Sequence, residues 1–316
     1  MPKDVYVNLT YRCNNNCIFC AAGLQERKRV PRDITVCEFK HILARAIAEK
    51  VETVTLNGGE PTLVEYLPEA IRELSRTGLR TVLFTNGRSL SSLDYCRKLL
   101  YNSRNLEIQI PIHGPNGEVH DSLTRRAGSF REAISGVLNL LSVKNDDLSV
   151  VVKTVICKGN ASCIHQTAEM VTELFPSINR FVVSSLIYQG KVLRHFDNCH
   201  VSIMHTGIAF DDALEVCKHA NIPVVLEKIP ACALREGAFL NTINASQTKR
   251  RIEMGRTMIY FDATTLRTFP MGMMIETHPN GVLPEECAEC KYYDNCPGFQ
   301  ETYFGEYVTR ITEGSS

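Results

Sequence analysis

Residues 4–20 read DVYVNLTYRCNNNCIFC, an alternating β-branched run that ends in three cysteines within eight residues, Cys13, Cys17 and Cys20. The alternation marks a β-strand. The cysteines sit where the strand stops, so a short C-x3-C-x2-C loop follows it. A closed structural metal site usually takes four ligands. Three thiolates leave one corner open, and something other than a protein sulfur has to fill it.

The same arrangement recurs along the chain. Strand-like runs at 4–9, 51–56, 79–84, 105–110, 148–156 and 179–185 are each followed by a polar or glycine-rich motif. After the cysteine loop come NGGEPT (57–62), TNGR (85–88), PIHGPNG (111–117), CKGN (157–160) and LIYQG (186–190). Helical stripes lie between them: Leu63, Tyr66, Leu67, Ala70, Ile71 and Leu74, then Phe130, Ala133, Ile134, Val137, Leu138 and Leu141. Thr35…Glu38, Thr62…Glu65 and Ser129…Glu132 have capping-box spacing, and Gly78 is placed to stop a helix. Strand–helix alternation of this kind predicts an α/β fold with a parallel sheet and right-handed crossovers. The C-terminal ends of its strands would bring all six motifs to one mouth.

Beyond residue 200 the alternation weakens. One helix-like stretch (203–220) and one strand-like stretch (222–228) precede an irregular remainder holding Cys232, Cys287, Cys290 and Cys296. A boundary near residue 200 follows, giving 1–200 and 201–316.

The 316 residues carry 35 Lys+Arg against 35 Asp+Glu, which gives no footprint for a nucleic-acid partner. No apolar run is long enough to cross a membrane, and MPKDVYVNLT lacks the layout of a signal peptide. Thirteen clustered cysteines without a secretory signal point to metal or redox chemistry in the cytoplasm. The first strand begins near residue 4, so no peptide-recognition domain is expected ahead of it.

CNNNCIFC, then a strand ending in GGEP, then TNG, resembles the radical SAM superfamily. The resemblance implies a partial (β/α)6 TIM-like barrel. Cys13, Cys17 and Cys20 would hold a [4Fe–4S] cluster by three irons, leaving the fourth for the amino and carboxylate groups of S-adenosylmethionine. An electron passed into the sulfonium would break a C–S bond and give a 5′-deoxyadenosyl radical, with Phe19 shielding the cluster. Gly58, Gly59 and Glu60 would meet the methionine part, Glu60 at its ammonium, and Asn86 would border the cofactor. The stretch 112–130 resembles a segment of family members with an extra C-terminal cluster. Pro111 and His113 stand where those members carry Ser and Asp. His113 is then a candidate for a ribose hydroxyl, Arg125 (ahead of Arg126) for the carboxylate, and Thr154 for a further contact.

The run CAECKYYDNCPG (287–298) with IPAC (229–232) resembles the twitch/SPASM region. It implies one auxiliary [4Fe–4S] cluster on Cys232, Cys287, Cys290 and Cys296, although a closed four-cysteine site also suits zinc. Cys37 and Cys96 read as core residues in helices. Cys157, Cys199 or Cys217 is a possible hydrogen-atom donor. The expected reaction is hydrogen abstraction from a peptide or a small sugar- or nucleoside-like substrate. The outcome would be oxidation, cross-linking, epimerisation or decarboxylation, with a flavodoxin- or ferredoxin-type electron donor. The rival reading is a non-catalytic zinc-binding interaction protein.

Overall fold

The computed structural model describes residues 3–21, 32–241, 256–262, 273–277, 284–293, 296, 298–299 and 302. Nine strands form one sheet: β1 (Lys3–Thr10), β2 (Thr53–Gly58), β3 (Arg80–Phe84), β4 (Leu106–Pro111), β5 (Leu148–Val155), β6 (Arg180–Ser184), β7 (Val224–Glu227), β8 (Arg256–Phe261) and β9 (Met273–Thr277). Their order is β7-β6-β5-β4-β3-β2-β1-β8-β9. Every pair from β7 to β8 is parallel, and only β9 runs antiparallel, against β8. The helices are α1 (Val36–Ala48), α2 (Leu67–Thr77), α3 (Leu93–Leu100), α4 (Gly117–Thr124), α5 (Ser129–Ser142), α6 (Ile164–Leu174), α7 (Lys191–Arg194), α8 (Phe196–Cys199) and α9 (Ile203–His219). This is the parallel α/β sheet that the alternation predicts, in the partial barrel that the resemblance implies. The sheet runs on past residue 200, however. β7 adds a strand beside β6, and β8 comes back to pair with β1.

Strand periodicity divides each strand between two environments. Outward-facing Val7, Leu56, Leu83, Ile108, Val152 and Val183 enter one large core under the helices. Among the inward-facing residues, Asn57, Gln109, Lys153 and Ser184 are polar and turn toward the strand mouths, beside Phe84, Pro111 and Val155. Deeper on β4, Glu107 lies between Arg80 (2.8 Å) and Arg180 (2.5 Å) and accepts from Gln109 Nε2 at 2.7 Å. Burial pushes its carboxyl up, but Arg180, Gln109 and Arg80 together hold it below the ordinary value.

Local signals hold in some places and give way in others. Thr35 and Glu38 make the reciprocal capping box at α1, and Gly78 ends α2 in the left-handed conformation at φ 75°. Thr62 does not cap α2, whose N-cap is Tyr66; its hydroxyl is bound to Glu60 and Ser89 instead. Ser129 is the first residue of α5 and Gly128 its cap, because Asp121 takes the Ser129 hydroxyl and the Gly128 and Phe130 N–H groups. On α5 the buried stripe passes through Ala133, Val137 and Leu140, leaving Leu138 at 45% exposure. Cys96 is buried, but Cys37 is exposed on α1, whose buried face is Phe39, Ile42, Leu43 and Ala46.

Candidate active site

The strand mouths surround a cavity of about 290 Å³ lined by Cys13, Cys17, Cys20, Phe19, Gly59, Glu60, Asn86 and His113, among others. Loops after β1, β2, β3 and β4, joined by Ser185 and Ile187 after β6, thus meet in one place, as expected for the C-terminal ends of parallel strands.

The cysteine loop is fixed by its neighbours. Asn16 N–H donates to Thr124 O at 2.9 Å and Ile18 N–H to Leu123 O at 3.0 Å, tying it to α4. Gly59 N–H donates to Thr10 O at 2.6 Å and Glu60 N–H to Arg12 O at 2.8 Å. A Cβ on Gly58 (φ 133°) would stand 2.2 Å from Thr10 O, and one on Gly59 would stand 2.2 Å from Arg12 O. The glycines therefore let β2 close onto the cysteine loop itself. Gly58 serves only that contact, whereas Gly59 also lines the cavity.

Glu60 is 1% exposed. One oxygen accepts from Thr62 N–H (3.0 Å), Thr62 Oγ1 (2.7 Å) and Thr85 Oγ1 (2.6 Å), and the other from Asn86 N–H (2.7 Å). It also caps the 3-10 turn Pro61–Leu63. Burial raises its pKa, and the hydrogen bonds from Asn86, Thr85 and Thr62 only partly offset that. A buried carboxylate held by neutral donors is suited to a cationic ligand. Asn86 carries the network onward, its Nδ2 donating to Asn14 Oδ1 at 2.6 Å.

His113 is 3% exposed and packs edge-on to Phe19 with ring centroids 4.7 Å apart. Its Nδ1 accepts from Val155 N–H at 3.3 Å, so the neutral ring carries its proton on Nε2. Burial, then His120 and Lys153, hold the ring well below the ordinary histidine pKa.

Burial, then Cys20 and Cys13, push the Cys17 thiol up to about 12. A cationic iron centre reverses that logic, because a coordinating thiol is deprotonated outright. Among the described residues, no three His, Cys, Asp or Glu side chains gather around a single-ion position. A cluster instead takes each thiolate on a different iron. The residues present fit a three-cysteine cluster with an ammonium-bearing ligand beside it.

Two other candidates stand apart. Thr154 is fully buried on the outer face of β5, because Lys153 and Val155 on either side of it face the cavity. Arg125 is exposed at φ 52°, capping the end of α4 and lying near Cys199 rather than the cavity. Cys157 and Cys199 are buried together behind the loop with Ile18, Leu123 and Leu186, and Cys217 is in the main core. None of the three lines the cavity.

Cys232, Cys287, Cys290 and Cys296 lie within electrostatic reach of one another without converging on a single-ion position. Burial, then Cys296, Cys287 and Cys290, push the Cys232 thiol up to about 11. Cys296 Sγ accepts from Ala231 N–H at 3.3 Å and Gly298 N–H at 3.4 Å, the kind of contact that tunes cluster sulfurs.

Sequence reasoning passed over Arg88, Lys191 and Asn160. Arg88 donates to Asn14 O at 2.6 Å and pairs with Glu132. Asn160 holds the His113 turn, donating to His113 O at 2.9 Å. Arg88 stands in the TNGR motif and Asn160 in CKGN, the two signals that pointed to them, whereas Lys191 falls just after LIYQG.

Fold and site together define an α/β partial barrel with a three-cysteine loop and a buried glutamate at its mouth. The family model of the radical SAM superfamily matches residues 7–171, and the chain belongs to that superfamily, whose members bind S-adenosylmethionine and a [4Fe–4S] cluster. Membership of an enzyme family sets aside the non-catalytic zinc protein. The AdoMet-dependent heme synthase of Methanosarcina barkeri is 29% identical over 177 residues, 55% of this chain and 48% of that protein. The sporulation killing factor maturation protein SkfB of Bacillus subtilis is 28% identical over 169 residues, 54% of this chain and 39% of that protein. The chain spans about half, or less, of the length of these relatives. Among solved structures, SuiB of Streptococcus suis bound to its precursor peptide SuiA superposes with a TM-score of 0.64 at 13% identity, covering 98% of this chain and 73% of that one. Among the described residues no helix is long and apolar enough to cross a membrane.

Proposed function

We propose that Cys13, Cys17 and Cys20 hold the [4Fe–4S] cluster and that Glu60 receives the ammonium of S-adenosylmethionine. Gly59 and Asn86 border the methionine part, and the Nε2–H of His113 is available to a ribose hydroxyl. Bound there, cluster and cofactor supply a 5′-deoxyadenosyl radical that removes a hydrogen atom from substrate. The chain's own part is to aim Glu60 at that ammonium with hydrogen bonds from Thr62, Thr85 and Asn86, to orient Asn86 through Asn14, and to keep water out with Phe19. The observation that carries this reading is the buried Glu60 sharing one cavity with three mutually close thiols.

The substrate is proposed to be a peptide. Support comes from the PqqA peptide cyclase of Bradyrhizobium diazoefficiens (25% identical over 221 residues), and from two relatives named for maturation, SkfB and the mycofactocin maturase MftC of Mycolicibacterium smegmatis (28% identical over 192 residues). Cys232, Cys287, Cys290 and Cys296 are proposed to carry one auxiliary [4Fe–4S] cluster within 201–316, a part that also lends β7 and β8 to the sheet. A cytoplasmic setting and a flavodoxin- or ferredoxin-type donor complete the proposal.

The test is anaerobic reconstitution with iron and sulfide. About eight irons per chain are expected, with 5′-deoxyadenosine released from S-adenosylmethionine under reduction. Cys17→Ala should abolish that release. Cys290→Ala should keep release but lose product. Deuterium transfer from a labelled peptide into 5′-deoxyadenosine supports the peptide. Transfer only from a labelled nucleoside or sugar refutes it.

A further inference from the structure

The cysteine loop has two sides. One lines the cavity, and the other rests on a small apolar cluster of Ile18, Leu123, Cys157, Leu186, Val192 and Cys199. Three segments cover that cluster and brace one another. The end of α4 accepts Asn16 N–H and Ile18 N–H from the loop. The segment after β6 presses on Cys20 and Ala21. There Lys191 N–H donates to Cys20 O at 3.1 Å, its ammonium donates to Asn16 Oδ1 at 2.5 Å, and a Cβ on Gly190 would stand 2.3 Å from Ala21 O. The turn after β5 bridges the other two. Lys158 N–H donates to Cys199 O and its ammonium to Asp197 O, both at 2.9 Å, and a Cβ on Gly159 would stand 2.8 Å from Leu123 Cδ2.

The outer surface of these segments is basic with an apolar middle. Arg125, Arg126, Lys158 and Arg194 are exposed, and so are Leu193 (62%) and Phe196 (37%). Among the described residues none of the four cations is in a salt bridge. Few acids offset them. Asp121 is taken up by Gly128, Ser129 and Phe130, and Glu118 stands in the first turn of α4, away from Arg125 and Arg126. Asp197 is the exposed acid within the patch.

We propose that this face docks an acidic one-electron carrier protein, which delivers its electron to the N-terminal cluster across the layer of Ile18 and Leu123. The inference rests on the cluster and donor readings above. The carrier loses one electron and the cluster gains it. Cofactor and substrate take the cavity side of the loop, which leaves the outer side to a protein partner. Unpaired surface cations steer an acidic protein and set its register. Exposed apolar side chains ringed by charge are the makeup of an interface centre and rim, and a patch this small suits a transient redox encounter.

The test is equilibrium binding of a flavodoxin, an acidic carrier, to the reconstituted holoprotein, with a basic cytochrome c as control. Flavodoxin should bind at low ionic strength and be released by salt, and cytochrome c should not bind. Arg126→Glu, Lys158→Glu and Arg194→Glu should each weaken flavodoxin binding by about threefold or more. The rate of cluster reduction by flavodoxin hydroquinone should fall in step. Lys98→Glu, an exposed reversal on α3, should change neither. Neutral Arg126→Gln, Lys158→Gln and Arg194→Gln should fall between wild type and the reversals, and they carry the test if a reversal lowers the melting temperature. Unchanged affinity across the set overturns the proposal, as does equal binding of cytochrome c or no binding of flavodoxin at low salt. Docking is read without the cluster signal, so a chain that binds flavodoxin but holds no iron fails on the cluster assignment alone.

Discussion

Replacing Glu60 by glutamine tests the core of the site with almost no change of volume. The carboxylate faces three donors with one oxygen and Asn86 N–H with the other. A glutamine satisfies the first group with its carbonyl and then turns its NH2 toward Asn86 N–H, donor against donor. A hydrogen bond to a charged group is worth about 1.5–3 kcal/mol, and a buried N–H left unmatched costs about 1–3 kcal/mol more. The neutral amide recovers part of this, because burial already strains the carboxyl. The net loss is then about 3 kcal/mol, or roughly 6 °C of melting temperature for a chain of this size. The lost charge at the cofactor ammonium predicts a further 10- to 100-fold rise in Kd, taking about 1.4 kcal/mol per tenfold. Thermal melting and equilibrium binding of S-adenosylmethionine to the anaerobic protein measure the two effects. A Glu60→Gln protein that melts within about 1 °C of wild type and binds the cofactor unchanged would refute the reasoning.

Gly59→Ala forces a Cβ to 2.2 Å from Arg12 O, so the cysteine loop must move; iron content after reconstitution should fall sharply, and full loading would contradict the close approach. His120, held down to about 4 chiefly by burial, is neutral when folded, so its contribution is complete above the unfolded value near 6.5 and is lost as pH falls toward 4. Urea midpoints should therefore fall over that window, by about 3 kcal/mol in all, and His120→Gln should flatten the slope. Glu107→Ala removes the buried partner of the part-buried Arg180 and the half-exposed Arg80 and should cost about 1–3 kcal/mol, measured by urea unfolding; a loss well under about 1 kcal/mol would show that the group behaves as a surface pair.

The strands were legible because β-branched runs ending in Gly, Asn or Cys leave little choice of element. The meeting of the cysteine loop, Gly59, Glu60, Asn86 and His113 at one cavity was legible because parallel strands send their C-terminal loops to the same side, although the CKGN motif (157–160) stays out of the lining. Thr154 was misplaced by a single position, since the residue on either side of it faces the cavity. Arg125 was misplaced because αL geometry at the end of α4 turns the chain outward. Thr62 had the right spacing for a cap but found a stronger acceptor in Glu60. Lys191 could not be read at all, because its partners lie some 175 positions away in sequence and no periodic pattern links them.

β1 is hydrogen-bonded to β2 on one side and, on the other, to β8. On a ribosome adding about 5–20 residues per second, that second partner emerges tens of seconds after β1. Until then the strand leading into the cysteine loop offers an open row of amides and carbonyls to any neighbouring chain. A truncation that removes Arg256–Phe261 would leave that row open for good. Its deposition in inclusion bodies would then report a missing strand, and supplying iron would not restore solubility.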